Sequence, residues 1–233
     1  MKFLAMVLAF LIPVGTALGA ESAEAERLQK AADVINEIMG TPEKGIPGDL
    51  LNKAVCVAVI PSYKKAALGI GGAGGKGAII CRRGGNGPWG APSMFSTGGL
   101  SIGLQIGGSA TDMVLVVMNS KGAMKLLQSK SKLGVDASVA GGPVGRTAQA
   151  ATDLQLHAEI LTYSRSRGAF AGVSLEGAVL KQDGDGNERL YGRKVEPKDI
   201  LFKGAVGVPA AARSLVAAFT KYSPRGGERF VEK

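Results

Sequence analysis

The sequence has few of the side chains on which most metal and redox sites depend. Its 233 residues include two cysteines, one histidine and one tryptophan. A single histidine excludes a metal site built from several histidines, and Cys56 and Cys81 lack the CxxC spacing typical of zinc sites. After residue 20, no apolar run reaches the roughly 20 residues that a membrane-spanning helix needs. We therefore expect no metal, no cofactor and no membrane-spanning body.

The two cysteines have two possible roles. Cys56 and Cys81 form one disulfide if the chain folds in an oxidising compartment. Each also lies in an apolar run typical of a strand, VCVAVI or GAIIC. Burial as two small hydrophobic side chains is therefore the alternative.

The first 20 residues have the layout of a secretory signal peptide. Lys2 precedes an apolar stretch from Phe3 to Val14, and small residues follow at Ala17–Ala20. This order predicts a leader that is removed on export. We expect an exported protein, periplasmic or secreted, with one domain over residues 21–223 and a flexible tail over 224–233.

The charge of the chain is strongly positive. Lysine and arginine number 28 and the acids 19, which gives a formal charge of +9. A basic exported protein meets anionic lipid head groups or anionic polysaccharide far more often than nucleic acid. We therefore expect no nucleic acid partner. Basic charge also favours solubility, so it does not identify the partner by itself.

Apolar periodicity predicts helices at both ends of the domain and strands between them. The expected helices are Ser22–Met39, a turn at Pro47–Lys53, Gly122–Ser129, Pro197–Phe202 and Pro209–Tyr222. The expected strands are Val55–Ile60, Ala78–Arg82, Gly99–Gly107, Met113–Met118, Val135–Ala140, Thr152–Ser164 and Ala169–Leu180. Gln182–Asn187 is predicted as a polar turn. Strand and helix do not alternate regularly, which favours an α+β fold: a twisted antiparallel sheet or partly closed β-barrel flanked by N- and C-terminal helices.

Two motifs typical of enzymes fail in their context. The overlapping GxGxxG pattern at Gly69–Gly77 precedes a strand, whereas a dinucleotide site needs a helix there. Gly99–Gly103 fits GxSxG, and Asp136 and His157 complete the order of a hydrolase triad. However, Ser101 lies inside an alternating strand and not at a sharp strand-to-helix turn. We expect no catalytic residues, and a serine hydrolase is the least favoured alternative.

The candidate binding residues are cations with one tryptophan beside them, almost all in predicted loops and turns. Loops on a rigid β body often carry function, and a tryptophan near lysines is typical of a water–lipid interface. Each cation near an anionic membrane contributes on the order of 1 kcal/mol. The predicted lipid-binding residues are Lys64, Lys65, Lys76, Arg82, Arg83, Trp89, Arg146, Arg165 and Arg167.

Seven segments of the chain resemble the SYLF domain family in sequence, order and spacing, over roughly Ala23–Phe219. They are VAVIP (57–61), GGAGGKG (71–77), WGAPSMFS (89–96), GGLSIGLQIGGSATDMVLVVM (98–118), LGVDASVAGGPVGR (133–146), YSRSRGAFAGVSLEG (163–177) and NERLYG (187–192). The resemblance implies a noncatalytic lipid-binding domain. Eukaryotic members bind phosphoinositides and, in fungi, actin, whereas bacterial members are exported domains that stand alone.

For an exported chain, the resemblance implies binding of anionic phospholipid at the bacterial cell envelope. The basic loops are the expected contacts, and the helix Ser22–Met39 either lies in the head-group region or packs on the body of the domain. Actin and phosphoinositides are not expected as partners there. The alternative is a structural or interaction protein of the envelope that binds anionic polysaccharide or an acidic protein. The oligomeric state is not indicated.

Overall fold

The computed structural model describes residues 22–40, 45–144, 157–166, 169–172 and 175–224. The helices are α1 (Ala23–Met39), α2 (Gly48–Lys53), α3 (Ser120–Leu126), α4 (Gly184–Tyr191), α5 (Pro197–Leu201) and α6 (Arg213–Tyr222), with 3-10 turns at Arg83–Gly85 and Ala210–Ala212. The strands are β1 (Cys56–Cys81), β2 (Ser93–Val117), β3 (Lys130–Lys132), β4 (Val139–Gly141), β5 (Ile160–Ser166), β6 (Ala169–Gly172) and β7 (Val179–Gln182). The predicted α+β class is confirmed.

Helix α1 forms where its periodicity predicts. The Ser22 side chain accepts a hydrogen bond from the Ala25 N–H and so caps the first turn. Leu28, Ile35 and Ile38 recur along one face and are fully buried. The helix therefore packs on the body of the domain along this face.

Strand β1 is folded back on itself. A straight strand of its 26 residues would span about 85 Å. Instead, a Cys56–Cys81 disulfide joins its two ends, whose Cα atoms are 4.0 Å apart. The Arg82 N–H also donates to the Val55 carbonyl at 2.9 Å. The disulfide is thus the role that the two cysteines take.

Strand β2 follows β1 through the whole fold-back. The two pair antiparallel from Cys56 opposite Val117 to Ile79 opposite Ser93, with register shifts near Ser62 and near residue 68. The separate strands predicted at Val55–Ile60 and Ala78–Arg82 are therefore limbs of one strand. The glycine-rich run between them stays paired, because glycine allows the ribbon to bend without breaking its ladder.

The remaining strands extend this ribbon into a curled seven-stranded sheet. Strands β5 and β7 both pair with β2, β3 pairs with β7, and β6 pairs with β5. These pairs are antiparallel, and β4 with β5 is parallel. The sheet forms the partly closed barrel that the sequence predicts, with one parallel pair.

Several other predicted elements differ from the structure. The separate strands expected at Gly99–Gly107 and Met113–Met118 are parts of β2. The strand expected at Val135–Ala140 is shorter and begins at Val139. The strand expected at Ala169–Leu180 is divided into β6 and β7. The turn expected at Gln182–Asn187 is instead the start of α4, because the Asp183 carboxylate accepts the Gly186 N–H and caps that helix. Residues 152–156 of the strand expected at Thr152–Ser164 lie outside the described residues, and the strand β5 begins only at Ile160.

The apolar core lies on both faces of the sheet. Along β1, Val57 and Val59 pack in one cluster with α1 and α6. Ala58 and Ile60 point the other way, into a second cluster that includes residues of α3 and α5. Burial on both faces explains why this limb reads as an uninterrupted apolar run. No helix in the described part of the chain is long and apolar enough to cross a membrane.

The fold-back of β1 predicts that glycine is required in the second half of this strand, which runs back beside the first half and is called the returning limb. A Cβ at Gly77 would lie 2.2 Å from the Val59 carbonyl oxygen, whereas a Cβ at Gly72 would meet no atom within 4 Å. We expect Gly77→Ala to lower the free energy of unfolding by about 1–3 kcal/mol, the usual cost of overpacking. Gly72→Ala is the matched control and should stay within about 0.5 kcal/mol of the parent. Urea unfolding of both variants measures the difference, and equal stabilities would contradict the close approach.

Reduction of the disulfide should weaken the fold. The Cys56–Cys81 bridge closes a loop with a sequence separation of 25. Bridges over loops of this size contribute roughly 2–4 kcal/mol, chiefly by restricting the unfolded chain. Thermal unfolding with and without reductant measures the loss. The double variant Cys56→Ser/Cys81→Ser should already unfold at the lower temperature, and reductant should not lower it further.

Candidate functional site

Two of the predicted lipid-binding residues, Arg82 and Trp89, lie in the protein interior. The side chain of Arg82 is fully buried, and Trp89 is 3% exposed. The Arg82 guanidinium lies 4.1 Å from the centre of the Trp89 ring, and this ring packs on Phe219 of α6. Neither side chain reaches the surface, so both are poor candidates for contact with lipid.

Arg82, Trp89 and Ser223 form a buried cluster that ties the end of α6 to the barrel. Both Arg82 Nη2 and the Trp89 indole donate to the Ser223 carbonyl, at 2.7 and 3.0 Å. Arg82 Nη2 also donates to the Ser223 hydroxyl, which donates in turn to the Leu51 carbonyl. Burial lowers the pKa of Arg82 to about 10, so the group stays charged at neutral pH. The ring face and the carbonyls compensate this charge.

Arg165 is neutralised within the fold. It lies in β5 and not in the predicted turn. Its Nε donates to Asp112 Oδ2 at 2.9 Å, and its Nη1 pairs with Glu37 of α1. This arrangement holds the last turns of α1 against the sheet. Since both ion pairs are made within the chain, Arg165 is a poor candidate for an anionic ligand.

The other described candidates lie at the surface. They are Lys64, Lys65, Lys76 and Arg83. The first three were predicted in loops, which is wrong, because β1 continues through the glycine-rich run. Arg146 and Arg167 lie outside the described residues.

Lys64 and Lys65 point to opposite faces of β1, because neighbouring residues of a strand alternate. Lys64 lines a groove beside α1. Lys65 shares the face of Tyr63, and its Nζ lies 5.9 Å from the centre of that ring. The two lysines, adjacent in sequence, are therefore not one continuous patch.

The groove beside Lys64 is the strongest candidate site in the described part of the chain, and we call it the α1–β1 groove. It has a volume of about 540 Å³, and α1 forms one wall while the two limbs of β1 and the start of β2 form the other. The charged and hydroxyl side chains that line it are Glu26, Arg27, Lys30, Ser62, Lys64, Lys76, Ser96 and Thr97. Four are cations and one is an acid, so the groove attracts anions.

Two of the four cations already have partners. Lys30 pairs with Glu26 one turn earlier on α1, and Lys76 pairs with Asp183 at 3.0 Å. Burial of Asp183 opposes its ionisation, but the Gly186 N–H and Lys76 hold its pKa below the usual value. The Lys76–Asp183 pair is therefore present at neutral pH and is lost only when acid protonates the carboxylate.

The other two cations are Arg27 on the α1 wall, which forms a long salt bridge to Glu24, and Lys64 on the β1 wall. Arg27 Nη1 has no hydrogen-bond acceptor among the described residues, and Glu24 Oε1 is 3.9 Å away. That carboxylate instead accepts two hydrogen bonds from Arg189, which keep its pKa low. In the described residues no acid pairs with Lys64. Of the four cations in the groove, Lys64 is thus the one without an acidic partner in the described residues.

The floor of the groove is shaped by backbone. A Cβ at Gly75 would lie 2.7 Å from Ile60 Cγ2, so only glycine lets the returning limb approach the first one. Ser62 adopts a φ of 58°, in the left-handed region, and its N–H donates to Asp112 Oδ1 at 2.9 Å. The fold maintains this costly conformation in a residue that lines the groove.

Sequence reasoning missed Arg27 and Lys30. Their i, i+3 spacing places them on one side of α1, which is visible in the sequence. However, nothing local shows that this side faces the glycine-rich limb of β1. The Glu24–Arg189 and Glu37–Arg165 pairs that fix α1 join residues 165 and 128 positions apart, so the signal is not local.

The hydrolase alternative gains no support from the geometry. Ser101 lies within β2, paired with Gly71, and not at a strand-to-helix turn. The Asp136 carboxylate accepts the Lys132 N–H in a local turn. Among the described residues, no group of three or more His, Cys, Asp or Glu side chains is arranged to bind a metal.

A family model described as Ysc84, Las17-binding protein actin regulator, matches residues 98–222, which is more than half of the chain. The chain is 36% identical over 207 residues to the SH3 domain-containing protein PJ696.02 of Schizosaccharomyces pombe, covering 87% of this chain and 47% of the relative. It is 32% identical over 221 residues to the SH3 domain-containing YSC84-like protein 1 of Homo sapiens, covering 93% and 64%. LAS seventeen-binding protein 3 of Saccharomyces cerevisiae is also 32% identical, over 225 residues, covering 93% and 48%.

These names correct one expectation from the sequence. Actin was not expected as a partner, but the matching family is described as an actin regulator, and one relative is named for binding LAS seventeen. The expectation rested on export alone and is contradicted by these names. The chain spans between about half and two thirds of the length of these relatives.

The buried cluster predicts a specific sensitivity at Ser223. Ser223→Ala removes a hydroxyl that accepts a hydrogen bond from Arg82 Nη2 at 2.6 Å and donates one to the Leu51 carbonyl at 3.0 Å. Loss of a hydrogen bond to a buried charged group costs about 1–3 kcal/mol, and we expect a loss of unfolding free energy in that range. Ser129, which is exposed, provides the control Ser129→Ala, expected to be nearly neutral. Urea titrations that give the two variants equal stability would contradict the role of the cluster.

Proposed function

Because the chain belongs to the Ysc84 family of SYLF domains, we propose that it is a noncatalytic module that binds anionic phospholipid at a membrane surface. The observation that carries the proposal is the α1–β1 groove, where four cations face a single lining acid. Hydroxyls of Ser62, Ser96 and Thr97 add donors that suit phosphate oxygens.

The energetics suit reversible binding. Lys30 and Lys64 stand at the surface, so a membrane reaches them without any rearrangement of the fold. Each cation near an anionic surface contributes on the order of 1 kcal/mol. Several together give useful affinity that falls as salt screens the charges.

We place this activity at a bacterial cell envelope, reached by export. The Cys56–Cys81 disulfide supports this location, because disulfides persist in oxidising compartments such as the periplasm. The expected signal peptide over residues 1–20 lies outside the described residues and stays a prediction.

A second candidate function is binding of an actin-related protein partner. The description of the family as a Las17-binding actin regulator favours it. The same exposed lysines would then contact an acidic protein surface. The two candidate functions differ in their ligand, so sedimentation with lipid vesicles and, separately, with actin filaments distinguishes them.

The proposed function is tested by co-sedimentation with neutral vesicles of phosphatidylcholine and with anionic vesicles that also contain phosphatidylglycerol. We expect binding to the anionic vesicles alone, weaker at high salt. The variant Lys64→Glu should lose at least about tenfold in affinity, because an attractive contribution of about 1 kcal/mol becomes a repulsive one.

The matched control is Lys198→Glu on α5. Lys198 is exposed, but α5 packs on the opposite face of the sheet, so this change in net charge should leave binding within about twofold. Equal loss in both variants would mean that only net charge matters. Absence of binding to either vesicle would reject the lipid proposal, and sedimentation with actin filaments then tests the second candidate.

A further inference from the structure

We propose that a cavity between α3 and α5 binds a small zwitterion with an apolar side chain, which is an apolar amino acid or a short peptide with both termini free. We call it the α3–α5 cavity. Its volume is about 590 Å³, within the range of about 300–1,000 Å³ that small ligands occupy. Leu127, which lines it, belongs to the second apolar cluster, whereas α1 packs in the first. The cavity therefore lies on the other face of the sheet from the α1–β1 groove, and the inference does not depend on the proposed function.

Both walls of the cavity are anchored in the fold. At the end of β7, Gln182 Nε2 donates to the Leu126 carbonyl at 2.9 Å and so satisfies one of the carbonyls that the end of α3 leaves free. On the other wall, Ile200 and Leu201 of α5 are buried in the second apolar cluster. The cavity thus has its shape before a ligand arrives, which reduces the cost of ordering on binding.

The first argument for the ligand is apolar surface. Met124, Leu127 and Phe202 line the cavity, and Met124 is 44% exposed although it is a large apolar side chain. A methionine side chain adapts to ligands of different shape, because it is unbranched and has three rotatable bonds. Contact with an apolar group of a ligand removes this surface from water and stabilises the complex. The ligand therefore carries an apolar side chain.

The second argument is the charge of the lining, to which two acids and two cations contribute. Asp199 and Lys203 pair with each other one turn apart, at 3.0 Å. In the described part of the chain, Glu196 and Lys198 form no ion pair. They lie two positions apart at the start of α5, a spacing at which side chains on a helix do not face each other. The cavity thus offers one available carboxylate and one available ammonium group.

A zwitterion fits this lining better than an ion of one sign. An anion is attracted by Lys198 but repelled by Glu196, and the reverse holds for a cation. An ammonium group beside Glu196 and a carboxylate beside Lys198 are both favourable, and the Ser129 hydroxyl adds a donor for the carboxylate. Amino acids and short peptides carry these two groups together with an apolar side chain. This complementarity selects the ligand class.

The proposal is tested by NMR titration of the chain from residue 21, labelled at its methionine methyl groups. Leucine and the dipeptide leucyl-leucine are the two probes, which separate a free amino acid from a peptide as the better ligand. We expect a saturable shift of the Met124 methyl signal with at least one of them. Met94 is fully buried in the cluster on the other face of the sheet, so its signal is the internal control and should not move.

Matched changes in ligand and protein test the two charged groups. The N-acetylated probe lacks the ammonium group, and Glu196→Gln removes the expected partner of that group. Glu196→Gln should therefore weaken the free probe about three- to fivefold, as expected for a partly exposed ion pair, and change the N-acetylated probe less than about twofold. Lys198→Gln should act in the same way on the free probe and on its amide, which lacks the carboxylate. Asp49→Asn, at an exposed acid on α2, is the control for net charge and should keep binding within about twofold.

Three results would overturn the proposal. An unchanged Met124 signal with both probes would show that the cavity does not bind this class of ligand. Equal weakening of the free and the N-acetylated probe by Glu196→Gln would show that Glu196 does not bind the ammonium group. A loss of affinity in Asp49→Asn as large as that in Glu196→Gln would assign the effect to net charge and not to the cavity.

Discussion

The fold depends on the closure of one strand upon itself. Strand β1 leaves Cys56, bends through a glycine-rich run and returns to Cys81, where a covalent bond and the Arg82–Val55 hydrogen bond join its ends. Such a path is possible only where side chains are absent from the returning limb, as at Gly75 and Gly77. The same closure brings Lys64 and Lys76, twelve positions apart, to one groove.

The second wall of that groove is fixed by ion pairs of α1. Glu24 binds Arg189 near the start of the helix, and Glu37 binds Arg165 near its end. Surface ion pairs contribute little to stability, but these two involve a buried carboxylate and a largely buried guanidinium, so they define position. Charges inside the fold therefore orient the helix, and they place Arg27 and Lys30, which lie between them, along the groove.

Much of the fold could be predicted from the sequence, and little of the site. Periodicity located α1 and α6, and short apolar runs located both limbs of β1. It failed at Gln182–Asn187, because a capping Asp183 there begins a helix that looks like a turn. The prediction of the binding residues failed for a different reason. In the sequence, Arg82 and Trp89 resemble a pair at a membrane interface, but a long-range contact with Ser223 buries them. Exposure of a cation is decided by tertiary packing, which composition does not encode.

The packing of α1 against α6 also has a kinetic consequence. The two helices join the ends of the domain and share one apolar cluster over the same sheet face, so neither can be buried before the other end of the chain is present. Contacts of such long sequence separation slow folding. While the chain is incomplete, Val57, Val59 and Ile80 remain uncovered and prone to association. A polypeptide with this topology gains from being kept unfolded until its synthesis ends.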